Sequence, residues 1–117
     1  MQYILMLHAA EAGWAAMTGD QQQQAMAAYY TYTEALKKAG ALIGVNRLQP
    51  SATTTTVRVT NGKSQVLNGP YVDTKEQLGG FYIIDVPDLQ AAVAWAERCP
   101  AATHGTVEVR ELWADAA

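Results

Sequence analysis

The chain has 117 residues, half of them apolar and 16% charged, with a formal net charge of −3. This length suits one domain with a real core, and the composition excludes a disordered or membrane-spanning chain. The acidic balance without a basic run argues against nucleic acid as a partner. Because the opening residues resemble a strand rather than a signal peptide, we predict a single cytoplasmic domain over 1–117 with no membrane partner.

The few sulfur and imidazole side chains limit the metal and redox chemistry of the chain. Cys99 is the single cysteine, so it cannot form an internal disulfide. His8 and His104 lie far from it and from each other in sequence, without the spacing of a tetrahedral metal site. We therefore expect no metal site, and we find no cofactor-binding motif.

The first half of the chain predicts a strand, a long helix and a second strand. Residues 2–8 carry apolar side chains on both faces, which is typical of a buried strand. Helical spacing runs from Asp20, the predicted N-cap, to Gly40, the predicted residue after the helix. Residues 41–48 form the next strand. The inward face of the helix is predicted to carry Ala25, Met26, Tyr29, Tyr32, Thr33 and Leu36.

The second half begins with a predicted hairpin. Strands 53–60 and 63–67 flank Asn61-Gly62, whose residues suit the positive φ angles of a tight turn. The remaining elements are predicted as a strand at 79–86, a helix at 89–99 capped by Pro87-Asp88, and a strand at 105–113.

This order, β-α-β, a hairpin and β-α-β, predicts an α+β fold with a ferredoxin-like, split-βαβ sheet. Two helices cover only one face of such a sheet. The other face carries apolar side chains from 2–8 and 79–86, a patch too large to leave in water. We therefore predict a homodimer that packs sheet to sheet. The alternative is that the helices are longer or lie elsewhere and cover more of the sheet.

One segment has a more specific pattern. Residues 71–89 read YVDTKEQLGGFYIIDVPDL and follow Asn68-Gly69-Pro70, while residues 107–112 read VEVREL. Together they closely resemble the YCII-related family, in the branch named for its Asp-Gly-Pro-Phe (DGPF) motif. The resemblance covers nearly the whole chain. It implies the dimeric α+β barrel, in which two ferredoxin-like subunits join their sheets face to face.

The chain also departs from the pattern of that branch. Its departures are Asn68 in place of Asp, Tyr71 in place of Phe, Asp73 in place of the usual Glu, and Asn46 where Glu is common. The original branch is associated with a His–Asp pair, whose places fall here at Tyr29 and Cys99. Neither reproduces an imidazole oriented by a carboxylate, so a hydrolase or dehydratase role does not carry over. The wider barrel superfamily includes isomerases, monooxygenases, dehalogenases and members without known activity, so the resemblance indicates the fold better than the function.

Three charged residues alternate with valines in the strands. Arg58 lies between Val57 and Val59, and Glu108 and Arg110 alternate with valines in the last strand. If the valines face the helices, these charges point toward the partner subunit or into the barrel. They either pair across the dimer interface or line a small cavity as polar ligand contacts.

The polar segment 73–80, DTKEQLGG, is the second candidate site. As a plain solvated loop, its Lys and Glu charges would cancel locally. Gly79 and Gly80 instead allow close approach by a ligand or a neighbouring backbone. We interpret the loop as the rim of a cavity. Its polar candidates are Tyr71, Asp73, Lys75 and Glu76.

Two aromatic side chains in regular elements are further candidates. His8 ends the first strand, where a structural imidazole and a catalytic one are both consistent with the sequence. Tyr29 lies on the inward face of the helix, where packing is the expected role. His104, in the ATHG turn, is expected to be exposed.

Two functions of different classes remain. The first is binding of a small anionic or phenolic molecule in the barrel cavity, with or without catalysis. The second is a regulatory or interaction module linked to an extracytoplasmic-function sigma factor, which is implied by the resemblance alone. The sequence names no nucleophile and no reaction, so whether the protein is an enzyme stays open.

Overall fold

The computed structural model describes residues 1–114 as six strands, three α-helices and two short 3-10 helices. The strands are β1 (Gln2–Ala9), β2 (Leu42–Arg47), β3 (Thr55–Thr60), β4 (Lys63–Asn68), β5 (Gln77–Asp85) and β6 (Thr106–Glu111). The helices are α1 (Glu11–Ala15), α2 (Gly19–Lys38) and α3 (Leu89–Arg98), and the 3-10 helices are Ser51–Thr53 and Pro100–Thr103.

Four strands form one antiparallel sheet in the order β2-β5-β1-β6. Because β1 lies in the middle, it pairs on one side with β5, as in Tyr3 with Ile84, and on the other with β6, as in Leu5 with Val109. With two helices in the connections, this is the ferredoxin-like α+β arrangement. The predicted fold class is confirmed.

The core lies between this sheet and the helices α2 and α3. Alternation along the two central strands turns one set of side chains toward the helices, namely Tyr3, Leu5, Leu7, Tyr82 and Ile84, all buried. Tyr32 of α2 meets Tyr82 edge to face, with ring centroids 5.2 Å apart. The Tyr32 hydroxyl donates to the carbonyl of Trp95 on α3 at 2.7 Å, so this ring joins both helices to the sheet.

The opposite side of the sheet is not covered by α2 or α3. We call it the open face. Its apolar residues are Ile4, Met6, Phe81 and Ile83, and its polar residues are His8, Asn46, Thr106, Glu108 and Arg110. The four apolar side chains are half-buried and lie outside the buried core. The sequence-based expectation of a sheet with two apolar faces therefore agrees with the structure.

The long helix begins two residues earlier than the sequence indicated. Its N-cap is Thr18 rather than Asp20: the Thr18 side chain accepts from the amide of Gln21, whose side chain accepts from the amide of Thr18. This reciprocal capping box satisfies two amides that the helix itself leaves unpaired. The other end agrees with the prediction, since Gly40 follows the helix with a φ of 71°.

Helix α1 was not predicted from the sequence, and the inward face of α2 is narrower than its spacing indicated. The short helix is held from two sides: the side chain of Gln22 donates to the carbonyl of Trp14 at 3.0 Å, and the guanidinium of Arg47 lies 5.0 Å from the Trp14 ring centroid. Met26, placed on the inward face by its spacing, is 43% exposed, which corrects that expectation.

Strands β3 and β4 form the predicted hairpin, with Asn61 and Gly62 at φ 52° and 76° in its turn. They form a separate two-stranded sheet that does not extend the four-stranded one. We call this hairpin, Thr55–Asn68, the arm. Val57 and Val59 are 61% and 65% exposed, so the condition that these valines face the helices is not met in this strand. Arg58 therefore belongs to the arm rather than to the open face.

Candidate functional site

The open face carries a close contact between two of the candidate residues. His8, near the end of β1, pairs with Thr106 of β6, and Glu108 follows two residues later on the same face. Nε2 of His8 lies 2.5 Å from Oε1 of Glu108. The Nε2 atom is buried and has no partner with hydrogen-bond geometry, although Glu108 itself is about half exposed. When the imidazole is protonated, the contact is an ion pair.

A second carboxylate reaches the same end of the sheet. Glu76 precedes β5, and its Oε1 accepts from the hydroxyl of Thr106 at 2.7 Å. Because Thr106 pairs with His8, this brings Glu76 to the strand next to the imidazole. We call His8, Glu76, Thr106 and Glu108 the His8 cluster. Within residues 1–114, no group of three or more His, Cys, Asp or Glu side chains is arranged to hold a metal ion.

The candidate residues of the polar loop before β5 lie in two different environments. Asp73 and Lys75 are exposed, while Glu76 is half-buried and belongs to the His8 cluster. The hydroxyl of Thr74 donates to the carbonyl of Glu76 at 2.5 Å, and the side chain of Gln77 donates to the carbonyl of Thr74 at 2.7 Å. The loop is therefore ordered by its own hydrogen bonds, and these hold Glu76 in place.

The remaining charged candidates lie in two different places. Arg110 is exposed and lies on the open face, paired with Ile4 and two residues beyond Glu108. Arg58 lies on the arm, with its guanidinium 5.9 Å from the ring centroid of Tyr71, which is 74% exposed. Of the charged candidates, Glu76, Glu108 and Arg110 thus share the open face with His8, whereas Arg58 does not.

The base of the arm borders a cleft of about 450 Å³, lined in part by Tyr71, Gln77 and Leu78. Glu11, which the sequence analysis did not single out, organises its wall. The Glu11 carboxylate accepts from the amide of Ser51 at 2.9 Å, and the Glu11 amide donates to the side chain of Gln77 at 2.9 Å. The sequence signal was weak: a single acid shortly after a strand.

The two glycines of β5 have separate structural roles. Gly79 is the extra residue of a β-bulge, since Leu7 pairs with Gly80 and His8 already pairs with Leu78. At Gly80, an added Cβ would lie 2.9 Å from the carbonyl oxygen of Asn46 on β2. The predicted close approach is therefore present at Gly80, and the group that approaches it is the backbone of β2.

The chain is similar to known proteins over nearly its whole length. Residues 1–114 match the model of the YCII-related domain. The chain belongs to the YCII-related family. An uncharacterised protein of Rhizobium meliloti (strain 1021) is similar to it, with 32% identity over 114 residues that cover 96% of this chain and 92% of the relative.

This YCII-related chain contains no helix, within residues 1–114, that is both long and apolar enough to cross a membrane. The Asn68, Tyr71 and Asp73 departures from the DGPF pattern lie at the end of the arm and in the following loop. Asn46, the other departure, pairs with Phe81, so its side chain lies on the open face.

Tyr29 and Cys99, for which the resemblance implied the places of a His–Asp pair, lie on the helix side of this YCII-related domain. Cys99 is 1% exposed, and burial raises the pKa of its thiol. Burial, with a smaller contribution from Cys99, raises the pKa of Tyr29 to about 12. Both groups are therefore protonated at neutral pH, which agrees with packing roles and argues against a general base or a thiolate nucleophile at either position.

Proposed function

We propose that this YCII-related protein binds a small phenolic or anionic molecule at the His8 cluster, in a cavity that a second copy of the chain closes. The observation that carries the proposal is the contact of His8 with Glu108 on a sheet face that has several apolar side chains and is not covered by α2 or α3. Imidazole–carboxylate contacts in such surroundings are typical of binding and catalytic sites.

Each group has a distinct part in the proposed binding. The imidazole of His8 accepts a proton or a hydrogen bond from a phenolic hydroxyl, and Glu108 orients the ring and stabilises its protonated form. Arg110 supplies a positive charge on the same face for an anionic group of the ligand. Met6, Phe81 and Ile83 supply an apolar floor for a ring.

Closure of the site by a second copy would strengthen its polar contacts with a ligand. In a single chain the open face is accessible to water, where charged contacts are weak. Packing of two open faces about a twofold axis removes the apolar side chains from water and lowers the dielectric constant around His8 and Glu108. The protein is then a homodimer with one enclosed site for each cluster.

A thermal-shift experiment with 4-hydroxybenzoate, which carries both a phenol and a carboxylate, tests this proposal. At a hundredfold excess over the dissociation constant, binding adds about 2.7 kcal/mol of stability and raises the melting temperature by several degrees. Phenol and benzoate, measured in parallel, separate the two ligand groups. Native mass spectrometry of the purified protein examines whether it retains a small molecule.

His8→Ala is expected to remove the shift, and His104→Ala is the matched control because His104 is exposed and outside the cluster. An unchanged shift in His8→Ala would contradict the assigned site. If no probe shifts the wild-type protein and no molecule is retained, the binding proposal fails. Copurification of a sigma factor would then support the interaction-module hypothesis.

A further inference from the structure

The arm has two chemically different faces. One face carries Val57 and Val59 of β3 with Val66 of β4 and no charged residue. The other carries Arg58 and Lys63, together with Leu67. The three valines are between 61% and 65% exposed, so this apolar face has no cover within the described chain. An apolar strand face of this kind is unfavourable in water and is typical of an interaction surface.

The accessible surface area of the chain indicates how much of it a partner would bury. The chain exposes 8303 Å², whereas a compact monomer of its mass exposes about 6,200 Å². The excess of about 2,000 Å² per chain lies within the roughly 1,000–2,500 Å² that one subunit of an obligate dimer buries. The Cα radius of gyration, 16.2 Å, likewise exceeds the roughly 13 Å expected for a compact chain of this length.

Isolated two-stranded hairpins are marginally stable in water, so the arm needs a packing partner to be a persistent structure. The charge of the arm indicates which partner surface it packs against. Thr55–Asn68 contains two cations and no acid, while the whole chain carries −3, so the rest of the chain carries −5. A basic arm is attracted to an acidic body and repelled by a second arm.

We infer that the valine face of the arm packs against the body of a second copy of this chain, so that each subunit of the dimer is clasped by the arm of the other. The inference rests on the dimer in the proposed function and names a second contact region, separate from the open face. Arg58 and Lys63, on the far side of the arm, attract it to the acidic body during association.

Sedimentation velocity over a dilution series tests the clasp. The variant Val57→Thr/Val59→Thr keeps the size and β-branching of both side chains while adding a polar hydroxyl to each. Its dimer dissociation constant is expected to rise by about tenfold or more relative to wild type. The matched control, Gln65→Thr, introduces the same residue on the opposite face of the arm and is expected to change the constant by less than about threefold.

A nitroxide attached at Gln65→Cys reports where the arms lie in the dimer. Arms on the two bodies give spectra without dipolar broadening, whereas arms paired with each other give broadened spectra and overturn the inference. Equal dissociation constants for the double variant and wild type also overturn it.

The same measurements separate this inference from the proposed function. If the double variant dissociates but wild type shows no shift with 4-hydroxybenzoate, the clasp stands and the ligand site fails. If the shift is present and the double variant dimerises as wild type does, the ligand site stands and the clasp fails. A wild-type monomer at micromolar concentration overturns both the clasp and the enclosed site.

Discussion

His8 and Glu108 are diagonal neighbours on two antiparallel strands, with Nε2 and Oε1 2.5 Å apart on the open face. Their contact depends on the register that pairs His8 with Thr106. Because side chains alternate, a slip of one residue would turn Glu108 toward the helices and remove it from the imidazole. The site is thus a consequence of strand pairing between segments about a hundred residues apart in sequence.

Glu108→Gln is expected to weaken binding of 4-hydroxybenzoate by about tenfold while the fold is retained. The amide keeps the shape of the side chain but has no negative charge to pair with a protonated imidazole, and a tenfold loss of affinity corresponds to about 1.4 kcal/mol. Isothermal titration calorimetry measures the affinity. Glu111→Gln, on the same strand but next to Tyr3 on the other face, is the control and should bind as wild type does.

Gly80→Ala is expected to lower the free energy of unfolding by about 1–3 kcal/mol, because the new Cβ meets the Asn46 carbonyl at 2.9 Å and the backbone of β2 must move. Gly79→Ala is the matched control, since its Cβ would approach the Leu7 carbonyl no closer than 4.0 Å. Urea denaturation measures the free energy of unfolding of both variants. Equal stabilities for the two variants would show that the Gly80 contact relaxes without strain.

Thr18→Ala is expected to destabilise the protein by about 1 kcal/mol, since the variant loses the hydrogen bond to the amide of Gln21. Thr31→Ala, at an exposed position inside α2, replaces the same residue where it caps nothing. That variant should be neutral or slightly more stable because alanine has the higher helix propensity. Thermal denaturation followed by circular dichroism compares them, and a stable Thr18→Ala protein would argue against the cap.

Stability is expected to fall at alkaline pH because buried tyrosines hold their protons more strongly in the folded state. Burial raises the pKa of Tyr29 from 10.0 to about 12 and raises the pKa of Tyr82 in the same direction. This contribution is complete below pH 10.0 and is lost as the pH rises toward 12. Urea denaturation across that range measures it.

The matched variant for this pH effect is Tyr29→Phe, which removes one titrating hydroxyl and retains the ring. Its stability is expected to decline less steeply above pH 10.0 than that of wild type. A decline of the same slope would mean that Tyr29 does not contribute to the alkaline destabilisation.

The thiol of Cys99 is expected to be inert in the native protein. It is 1% exposed and its pKa is raised by burial, so both access and thiolate formation are restricted. Reaction with an aromatic disulfide reagent should be slower than in urea-unfolded protein by about 100-fold or more, since it requires opening of the core. Rapid native labelling, or loss of ligand binding in a folded Cys99→Ser variant, would contradict this prediction.

Local sequence patterns predicted most of the regular structure. The Asn61-Gly62 turn, the long helix ending before Gly40, the helix capped by Asp88 and the apolar alternation of β1 and β5 were all predicted correctly. These features depend on backbone preferences and side-chain periodicity within a few residues. The same patterns were sufficient to predict the ferredoxin-like sheet and its uncovered face. They missed α1, whose stabilising contacts with Gln22 and Arg47 come from other elements.

The sequence predicted which residues belong to the candidate site but not how they are arranged in space. His8, Glu76 and Glu108 come from three distant segments, and the register of β1 with β6, together with the Thr106 hydrogen bond, brings them together. The tertiary structure also separated the arm from the main sheet, which removed Arg58 from the open face. Alternation assigns side chains to the two faces of a strand but does not indicate what those faces meet, because that depends on how the chain packs.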